Sequence, residues 1–254
     1  MIFDRRTFLS VAGAGVLSAA LPAPALAQGV ISLPDDIVRQ EAATITAVSN
    51  GLPMVAMTFD DGPHPTLTPR LLDILRARNI KATFYLIGNR VAQWPDLTRR
   101  IAAEGHEIGN HSWSHPYLSR RTTANVISEI DATSEVIYRA TGRPPVTFRP
   151  PYGAFTRAQR QMLHENRRMP TILWSVDPQD WRRPGASVVA NRILSRSRAG
   201  AIILSHDIHS GTIAAMPSTL DGLRARGLQF GTVSQMIGWP LWQTRHFRRV
   251  AQSS

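Results

Sequence analysis

Short apolar runs alternate with helix-like segments along most of the chain, and this alternation limits the possible folds more than any other feature. The runs have the length and composition of buried strands. They lie at residues 54–59, 81–87, 106–110, 145–149, 170–176, 200–205 and 228–233. Strands that alternate with helices form parallel sheets through right-handed crossovers. Roughly seven such units favour a single-domain α/β barrel over an open sheet.

The segments between the runs carry the signals of helices. In the first of them, Leu71, Leu72 and Leu75 form an apolar stripe. Thr66 can cap this helix, and Gly105 is a usual stop for the next one. We predict helices over residues 67–78, 91–104, 186–198 and 218–226, and one that begins at Thr122 or Thr123 and ends at Gly142.

The first 27 residues have the features of an export signal. Asp4-Arg5-Arg6-Thr7-Phe8-Leu9 is a twin-arginine pattern, residues 9–21 are apolar, and Ala25-Leu26-Ala27 is a small-residue cleavage site. A retained membrane anchor is the alternative, but the apolar run is shorter than the ~20 residues that a spanning helix needs. The sequence therefore predicts an exported protein, periplasmic or extracellular, with no stable membrane span after removal of the signal.

The rest of the chain divides into three parts. Residues 28–51 show no strong periodicity and form a lead-in segment, and residues 52–238 contain the alternating pattern. Residues 239–254 form a basic tail to which no role is assigned. The chain has no cysteine, which excludes disulfides and lipid attachment at cysteine.

The chain is strongly basic, with a formal net charge of +11, and Lys81 is its one lysine among many arginines. An exported basic protein can associate with anionic envelope polymers. A solvated arginine-rich surface explains the charge equally well, so both interpretations stay open. The basic residues are scattered without a nucleic-acid-binding motif, so no nucleic-acid partner is predicted. No feature of the sequence indicates the oligomeric state.

Polar motifs follow the predicted strands at their carboxyl ends, where barrels build active sites. In chain order they contain Asp60 with Asp61, His111 with His115, Arg149, Asp177 with Asp180, and His206 with Asp207. Each motif alone is weak evidence. Five polar clusters that converge on one face would be a costly collection of desolvated charge unless they served a function. The sequence therefore predicts a functional site at this face.

The residue types in these motifs point to metal-assisted hydrolysis. Two adjacent carboxylates after a buried run raise each other's pKa unless a cation lies beside them. His111 and His115 have the i, i+4 spacing that can place two imidazoles on one ion. Two histidines and one carboxylate leave coordination positions open, as in catalytic zinc sites and in non-haem iron oxygenases. A second carboxylate and a remote histidine can act as base and acid, which favours hydrolysis.

Five motifs, in this order and spacing, resemble those of the polysaccharide deacetylases, the family 4 carbohydrate esterases. The motifs are TFDDGP, HSWSH, RPPYG, DPQDW and LSHD, and the resemblance covers about residues 52–238. The family includes chitin, chitooligosaccharide and peptidoglycan deacetylases. The resemblance implies a distorted (β/α) barrel of seven to eight units and a divalent metal, most often Zn²⁺, with Co²⁺ as the other possibility.

The resemblance also implies a reaction and a substrate. We expect a metal-dependent enzyme that hydrolyses carbon–nitrogen amide bonds and removes N-acetyl groups from peptidoglycan or a chitin-type oligosaccharide. Two alternatives stay open: an esterase for O-acetylated polysaccharides such as acetylxylan, and a sugar-binding envelope protein without turnover.

The same resemblance implies a role for each motif residue. The implied metal ligands are Asp61, His111 and His115. The implied catalytic residues are Asp60 as the base, His206 as the acid, Arg149 as the partner of Asp60, and Asp180, which orients either Arg149 or His206. The implied substrate-binding residues are Tyr152, through its backbone N–H, and Trp181 and Leu204, which wall the acetyl pocket. Asp207 is expected to support His206, and Asp177 to be a turn or N-cap residue.

Overall fold

The computed structural model describes residues 44–49 and 51–238, and all of them belong to one compact unit. The predicted signal over residues 1–27, most of the lead-in segment and the basic tail over residues 239–254 lie outside the described residues. None of the helices within the described ranges has both the length and the apolar character needed to cross a membrane.

The strands are short and form at most of the predicted apolar runs. They are β1 (Thr44–Ile45), β2 (Met54–Asp60), β3 (Thr83–Leu86), β4 (Glu107–Asn110), β5 (Thr171–Ile172), β6 (Ile202–His206) and β7 (Gln229–Phe230). The central strand, β2, is buried from its second residue to its last. A parallel strand covered on both faces has this continuous burial, which explains why its sequence is apolar throughout and not alternating.

The helices follow the strands in alternation. They are α1 (Leu67–Ala77), α2 (Gly88–Gln93), α3 (Pro95–Ala103), α4 (Thr123–Thr141), α5 (Arg157–Arg167), α6 (Ala186–Arg196), α7 (Ser210–Ala225) and α8 (Val233–Met236). The side chain of Thr122 caps α4 by accepting a hydrogen bond from the backbone of Asn125, and Gly142 ends this helix with a left-handed φ of 72°. The apolar stripe of α1 is fully buried against the sheet, as its periodicity predicts.

The strands form two parallel sheets that single bridges connect. The order β4-β3-β2-β6 is parallel throughout, β7 also pairs with β2, and β1 pairs with β5. Single bridges join Asn110 to Phe148 and Phe148 to Thr171, and Val176 returns to Ile203 on β6. These short parallel strands, packed against helices, confirm the predicted α/β fold and agree with a distorted barrel.

The register aligns the carboxyl ends of neighbouring strands. Asp60, the last residue of β2, pairs with Tyr85 on β3 and with His206, the last residue of β6. Leu86 at the end of β3 pairs with Asn110 at the end of β4. The loops that follow these strands therefore leave the sheet at the same end and at the same level.

Two predicted elements are interrupted by proline. Residues 145–149 were expected to form a strand, but only Phe148 makes a bridge, because prolines on both sides of this segment cannot donate ladder hydrogen bonds. The helix predicted over residues 91–104 is two helices separated at Trp94, which has non-helical φ and ψ of −129° and 57°. Trp94 precedes Pro95, and the proline ring disfavours a helical conformation in the residue before it.

Other helix predictions were incomplete. Helix α5 was not predicted, although Thr156 and Gln159 form a capping box at its start. Helix α7 begins eight residues before the predicted start at 218 and contains Pro217. Thr66 does not cap α1 through its side chain; instead, the Nδ1 atom of His64 accepts hydrogen bonds from the backbone N–H groups of Thr66 and Leu67.

At the amino-terminal end of the barrel, the buried carboxylate of Glu107 connects several elements through hydrogen bonds. Glu107, the first residue of β4, is 1% exposed. It accepts hydrogen bonds from the hydroxyls of Thr83, Thr147 and Ser234 and from the backbone N–H of Ser234. These contacts attach the start of α8 to the barrel, so Glu107 serves the fold.

Candidate active site

The predicted motif residues meet at the carboxyl-terminal end of the barrel. Asp60 ends β2, and Asp61 follows it in a left-handed conformation. His111 follows β4 directly, His115 lies on the loop after it, and His206 ends β6 beside Asp60. The strand register brings these residues together although as many as 146 positions separate them in the sequence.

Three side chains form a group that could hold a metal ion. One potential ligand atom from each of Asp61, His111 and His115 lies within 4.8 Å of the other two. The Oδ1 atom of Asp61 is 3.4 Å from Nε2 of His111 and 3.3 Å from Nε2 of His115. The same oxygen is buried and has no hydrogen-bond partner among the described residues. A buried carboxylate oxygen without a donor, facing two imidazole nitrogens, fits a divalent cation.

The orientation of His111 leaves one ring nitrogen available for a metal. Its Nδ1 atom lies 2.7 Å from the backbone carbonyl oxygen of Arg149. A carbonyl only accepts hydrogen bonds, so Nδ1 carries the proton and donates it. In the neutral ring, the lone pair is then on Nε2, which points toward Asp61. Hydrogen bonds of this kind fix the tautomer of metal-binding histidines in proteins.

The surroundings favour the protonation states that metal binding requires. Burial lowers the pKa of His115, which keeps its ring neutral near pH 7. Burial tends to raise the pKa of Asp61, but the neighbouring imidazoles of His111, His206 and His115 outweigh this effect and hold the pKa well below its usual range. A neutral imidazole and an ionised carboxylate are the ligand forms.

Asp60 is paired with a buried arginine. Its Oδ1 atom is 2.7 Å from NH1 of Arg149, and Arg149 is 0% exposed. The guanidinium also donates to the hydroxyl of Thr58 and to the carbonyl oxygens of Ile172 and Leu173. The other oxygen of Asp60, Oδ2, lies 3.6 Å from Nε2 of His111. Arg149 therefore holds one oxygen of Asp60 while the other faces the proposed metal ligands.

His206 is held by Asp180. The Nδ1 atom of His206 is 2.8 Å from Oδ1 of Asp180, and the backbone N–H of His206 donates to Oδ2. Thr212 and the backbone of Trp181 also donate to this carboxylate, which makes no contact with Arg149 among the described residues. Burial tends to lower the pKa of His206, but the hydrogen bond and charge of Asp180, with the charges of Asp60 and Asp61, raise it to about 9.

Several residues of the site have left-handed backbone conformations. Asp61, Ser112, His115 and Tyr152 have φ values of 72°, 63°, 59° and 60°. Non-glycine residues rarely adopt these values, and such strain concentrates at functional sites. The loop that contains Ser112 and His115 is held by Glu129, which accepts hydrogen bonds from the backbone N–H groups of the two residues between them.

The predicted substrate-binding residues line the same end of the barrel. Tyr152 is 54% exposed, its ring contacts that of His115 at 4.6 Å, and its backbone N–H has no hydrogen-bond acceptor among the described residues. Its other neighbour is Tyr117, stacked on it at 3.9 Å. Trp181 is 48% exposed, whereas Leu204 is buried on β6, two residues before His206.

Some contributors were not recognised in the sequence. Glu129, which holds the HSWSH loop, lies about fifteen residues after it, and no local pattern marks it. Thr58 and Thr212, which support Arg149 and Asp180, were also missed, although Thr58 lies inside the TFDDGP motif.

The role expected of Asp207 was wrong. Its carboxylate accepts a hydrogen bond from the hydroxyl of Thr68 instead of supporting His206. A Cβ atom on Gly62 would come within 2.5 Å of the Asp207 carboxylate, so the turn after Asp61 packs directly against it. Burial raises the pKa of Asp207 to about 7. Asp177 accepts a hydrogen bond from the backbone of Gln179, as expected for a turn residue.

Comparisons with known proteins agree with the site. The profile of the polysaccharide deacetylase family matches residues 47–168. The peptidoglycan-N-acetylglucosamine deacetylase PgdA of Listeria monocytogenes (serotype 1/2a, strain 10403S) is 41% identical over 184 residues, which are 72% of this chain and 39% of that protein. The chain thus spans well under half the length of this relative.

Two other relatives are covered almost completely. The chitooligosaccharide deacetylase of Bradyrhizobium sp. (strain ANU 289) is 36% identical over 204 residues, which are 74% of this chain and 92% of that protein. The crystal structure of the peptidoglycan N-acetylglucosamine deacetylase Bc1960 superposes with a TM-score of 0.78 and 33% identity, over 83% of this chain and 99% of that one. With its fold and motifs shared over this length, the chain belongs to the polysaccharide deacetylase family.

Proposed function

We propose that the protein is a metal-dependent hydrolase that removes N-acetyl groups from a glycan, either peptidoglycan or a chitin-type oligosaccharide. One observation carries this proposal: the open Asp-His-His group lies at the same end of the barrel as a carboxylate paired with arginine and a histidine paired with aspartate. The relatives support the substrate class, because those named above are deacetylases of peptidoglycan or of chitooligosaccharides.

Asp61, His111 and His115 would hold the metal, for which we propose Zn²⁺, with Co²⁺ as the alternative. A divalent cation bound there supplies Lewis acidity toward water and toward an acetyl carbonyl. The donor set fits this ion because it combines two imidazole nitrogens with one carboxylate oxygen.

Asp60 is proposed as the general base. Its Oδ1 atom is engaged by Arg149, so Oδ2 is the oxygen that can take a proton from the attacking water. Oδ2 already lies on the side of the metal ligands, 3.6 Å from His111. The arginine keeps its charge at any physiological pH and gives Asp60 a permanent counter-ion.

His206 is proposed as the general acid. Because Asp180 engages Nδ1, the proton available to the substrate is on Nε2. The pKa of about 9 keeps the ring protonated at neutral pH, as an acid must be before the reaction. Transfer of this proton to the sugar nitrogen lets the carbon–nitrogen bond break, so that acetate and a free amine leave.

The remaining residues would orient the acetyl group. The backbone N–H of Tyr152, which has no acceptor within the described ranges, is a suitable donor for the oxygen that becomes negative as water adds to the carbonyl. Trp181 and Leu204 would wall the pocket for the methyl group. The strained backbone of Tyr152 and the contact of its ring with His115 support this role, since such strain concentrates at functional sites.

Export follows from the substrate. A deacetylase of envelope glycans acts outside the cytosol, and the twin-arginine pattern of residues 4–9 would take the protein there. We therefore propose a periplasmic or extracellular location.

The proposal is tested by acetate release from purified protein over residues 28–254, on N-acetylglucosamine oligomers and on peptidoglycan. We expect release that a chelator stops and that added Zn²⁺ or Co²⁺ restores. Release from O-acetylated xylan alone would make the protein an esterase. Binding of glycans without release from any substrate, in protein that contains metal, would make it a sugar-binding protein.

A further inference from the structure

Two exposed aromatic side chains border the candidate site, and each has an arginine over its ring. Tyr117 is 46% exposed and Trp181 is 48% exposed. The guanidinium carbon of Arg120 lies 5.1 Å from the centre of the Tyr117 ring, and that of Arg182 lies 4.8 Å from the Trp181 ring. Stacking of this kind fixes the position of an otherwise flexible arginine.

These two arginine–aromatic pairs contact different parts of the candidate site, one near the proposed metal ligands and one near the proposed acid. The Tyr117 ring stacks on Tyr152, whose ring contacts the proposed metal ligand His115. On the other side, the backbone N–H of Trp181 donates to the carboxylate of Asp180, the residue that holds His206. One positive charge is therefore linked to the metal side of the site and the other to the acid side.

The charges of these arginines are not neutralised within the described part of the chain. On the helices, Arg78 pairs with Asp221, Arg139 with Glu135, and Arg167 with Asp131. Among residues 44–49 and 51–238, no carboxylate forms an ion pair with Arg120, Arg182 or the neighbouring Arg121 and Arg183.

The carboxylates near these arginines accept hydrogen bonds from other donors. Glu129 accepts from the backbone of Trp113 and Ser114, and Asp177 accepts from the backbone of Gln179. Asp180 is buried and surrounded by donors. The positive charge at this border is therefore directed toward solvent, where a ligand would approach.

We propose that Arg120 and Arg182 select an N-acetylated glycan that carries carboxylate groups over a neutral one. This inference rests on the proposed function and chooses between its two substrates. Peptidoglycan bears carboxylates on its peptides, and on the lactyl groups that carry no peptide, whereas chitin-type oligomers bear none. A guanidinium can bind a carboxylate through two parallel hydrogen bonds while its face stays on an aromatic ring.

The expected effect is modest, because both arginines are at the surface. Two exposed charge–charge contacts together change an affinity by about 2- to 30-fold, and salt weakens them. This range is large enough to rank acidic above neutral glycans.

The test compares binding of one set of soluble peptidoglycan fragments before and after their carboxylates are converted to amides. Binding is measured by fluorescence anisotropy in the Asp60→Asn background, so that the fragments are not consumed, and again in the His206→Ala background in case Asp60→Asn does not fold. We expect Arg120→Gln with Arg182→Gln to weaken binding of the acidic fragments about 2- to 30-fold and to leave the amidated fragments unchanged. Arg120→Lys with Arg182→Lys keeps the charges but loses the paired hydrogen bonds of the guanidinium, so we expect a smaller loss than for the Gln variants.

Arg168→Gln with Arg198→Gln is the matched control. Both residues are exposed and precede β5 and β6 at the amino ends of the strands, away from the site, and the pair removes the same two charges. We expect no change in binding for this control.

An equal loss on acidic and amidated fragments would overturn the inference, as would a loss in the control of the same size. The inference would also be overturned if neither the acidic nor the amidated fragments bind. Acetate release by the wild-type protein is measured in parallel. If charge-dependent binding occurs without release, the proposed function fails and the selection of acidic glycans stands.

Discussion

The carboxylates of Glu107 and Asp61, at opposite ends of the barrel, have different surroundings. At the amino-terminal end, Glu107 accepts four hydrogen bonds, two on each carboxylate oxygen. At the carboxyl-terminal end, Asp61 has an oxygen that is buried, faces two imidazoles and receives no hydrogen bond within the described residues.

The open oxygen and the two imidazoles that face it together distinguish Asp61 from a carboxylate that only stabilises the fold. The buried Oδ1 of Asp207 also lacks a hydrogen-bond partner among the described residues, but Asp207 belongs to no group there that could hold a metal. Buried polar groups in proteins are almost always satisfied, because an unpaired one costs ~1–3 kcal/mol. The fold meets this rule at Glu107 and departs from it at Asp61, where the backbone is also strained. A departure of this kind is expected where a ligand completes the site.

The largest effect is expected when Asp60 is changed. Asp60→Asn should lower turnover by about 10²- to 10⁴-fold, because the amide cannot accept the proton of the attacking water. It should also lower stability, since Arg149 stays buried without its counter-ion. Acetate release and a thermal melt measure the two effects. Loss of bound metal in this variant would mean that the roles of Asp60 and Asp61 are exchanged.

His206→Ala should slow turnover by a similar or smaller factor, about 10²- to 10⁴-fold, through loss of the general acid. The metal content should not change, because no proposed ligand is altered. Single-turnover kinetics with metal analysis check this outcome. A fall in metal content as large as the fall in rate would assign His206 to the ligands.

Asp180→Asn should change the pH dependence more than the maximum rate. The raised pKa of His206 means that its protonated form stabilises the fold fully below pH 6.5, and that this contribution is lost as the pH rises through about 9. Activity that needs the protonated ring should fall over the same alkaline range. Without the carboxylate of Asp180, this fall should move to lower pH in a profile of kcat/KM. If the alkaline fall in kcat/KM stays at the same pH in Asp180→Asn, a group other than His206 controls that fall.

Glu107→Gln should lower the stability of the fold and leave activity unchanged, unlike the variants of the candidate site. The amide nitrogen cannot accept the hydrogen bonds that one carboxylate oxygen now receives, so we expect a loss of about 1–3 kcal/mol in the free energy of unfolding. Acetate release per folded molecule should stay unchanged. Urea denaturation and activity at low temperature measure the two quantities, and a selective loss of activity would contradict the structural role of Glu107.

The sequence predicted the barrel and the meeting of the motif residues well, for a simple physical reason. Parallel strands align their carboxyl ends, so residues such as Asp60, His111 and His206 must meet if each follows a strand. No side-chain geometry was needed for that step.

The details that the sequence left open, missed or predicted wrongly depend on loop paths and long-range packing. Whether Asp180 contacts Arg149 or His206, and that Asp207 faces Thr68, cannot be read from local spacing. The contact of Glu129 with the HSWSH loop also joins segments whose approach depends on residues with left-handed backbones. Such conformations in non-glycine residues have no reliable sequence signal.

Metal binding tests the central contrast most directly. Wild-type protein, Asp61→Asn and Glu107→Gln are loaded with Zn²⁺, dialysed and analysed for bound metal. The account predicts stoichiometric metal in the wild type and in Glu107→Gln, and loss of metal in Asp61→Asn. Retention of metal by Asp61→Asn at the wild-type affinity would contradict the assignment of the buried, unpaired oxygen of Asp61 as a metal ligand.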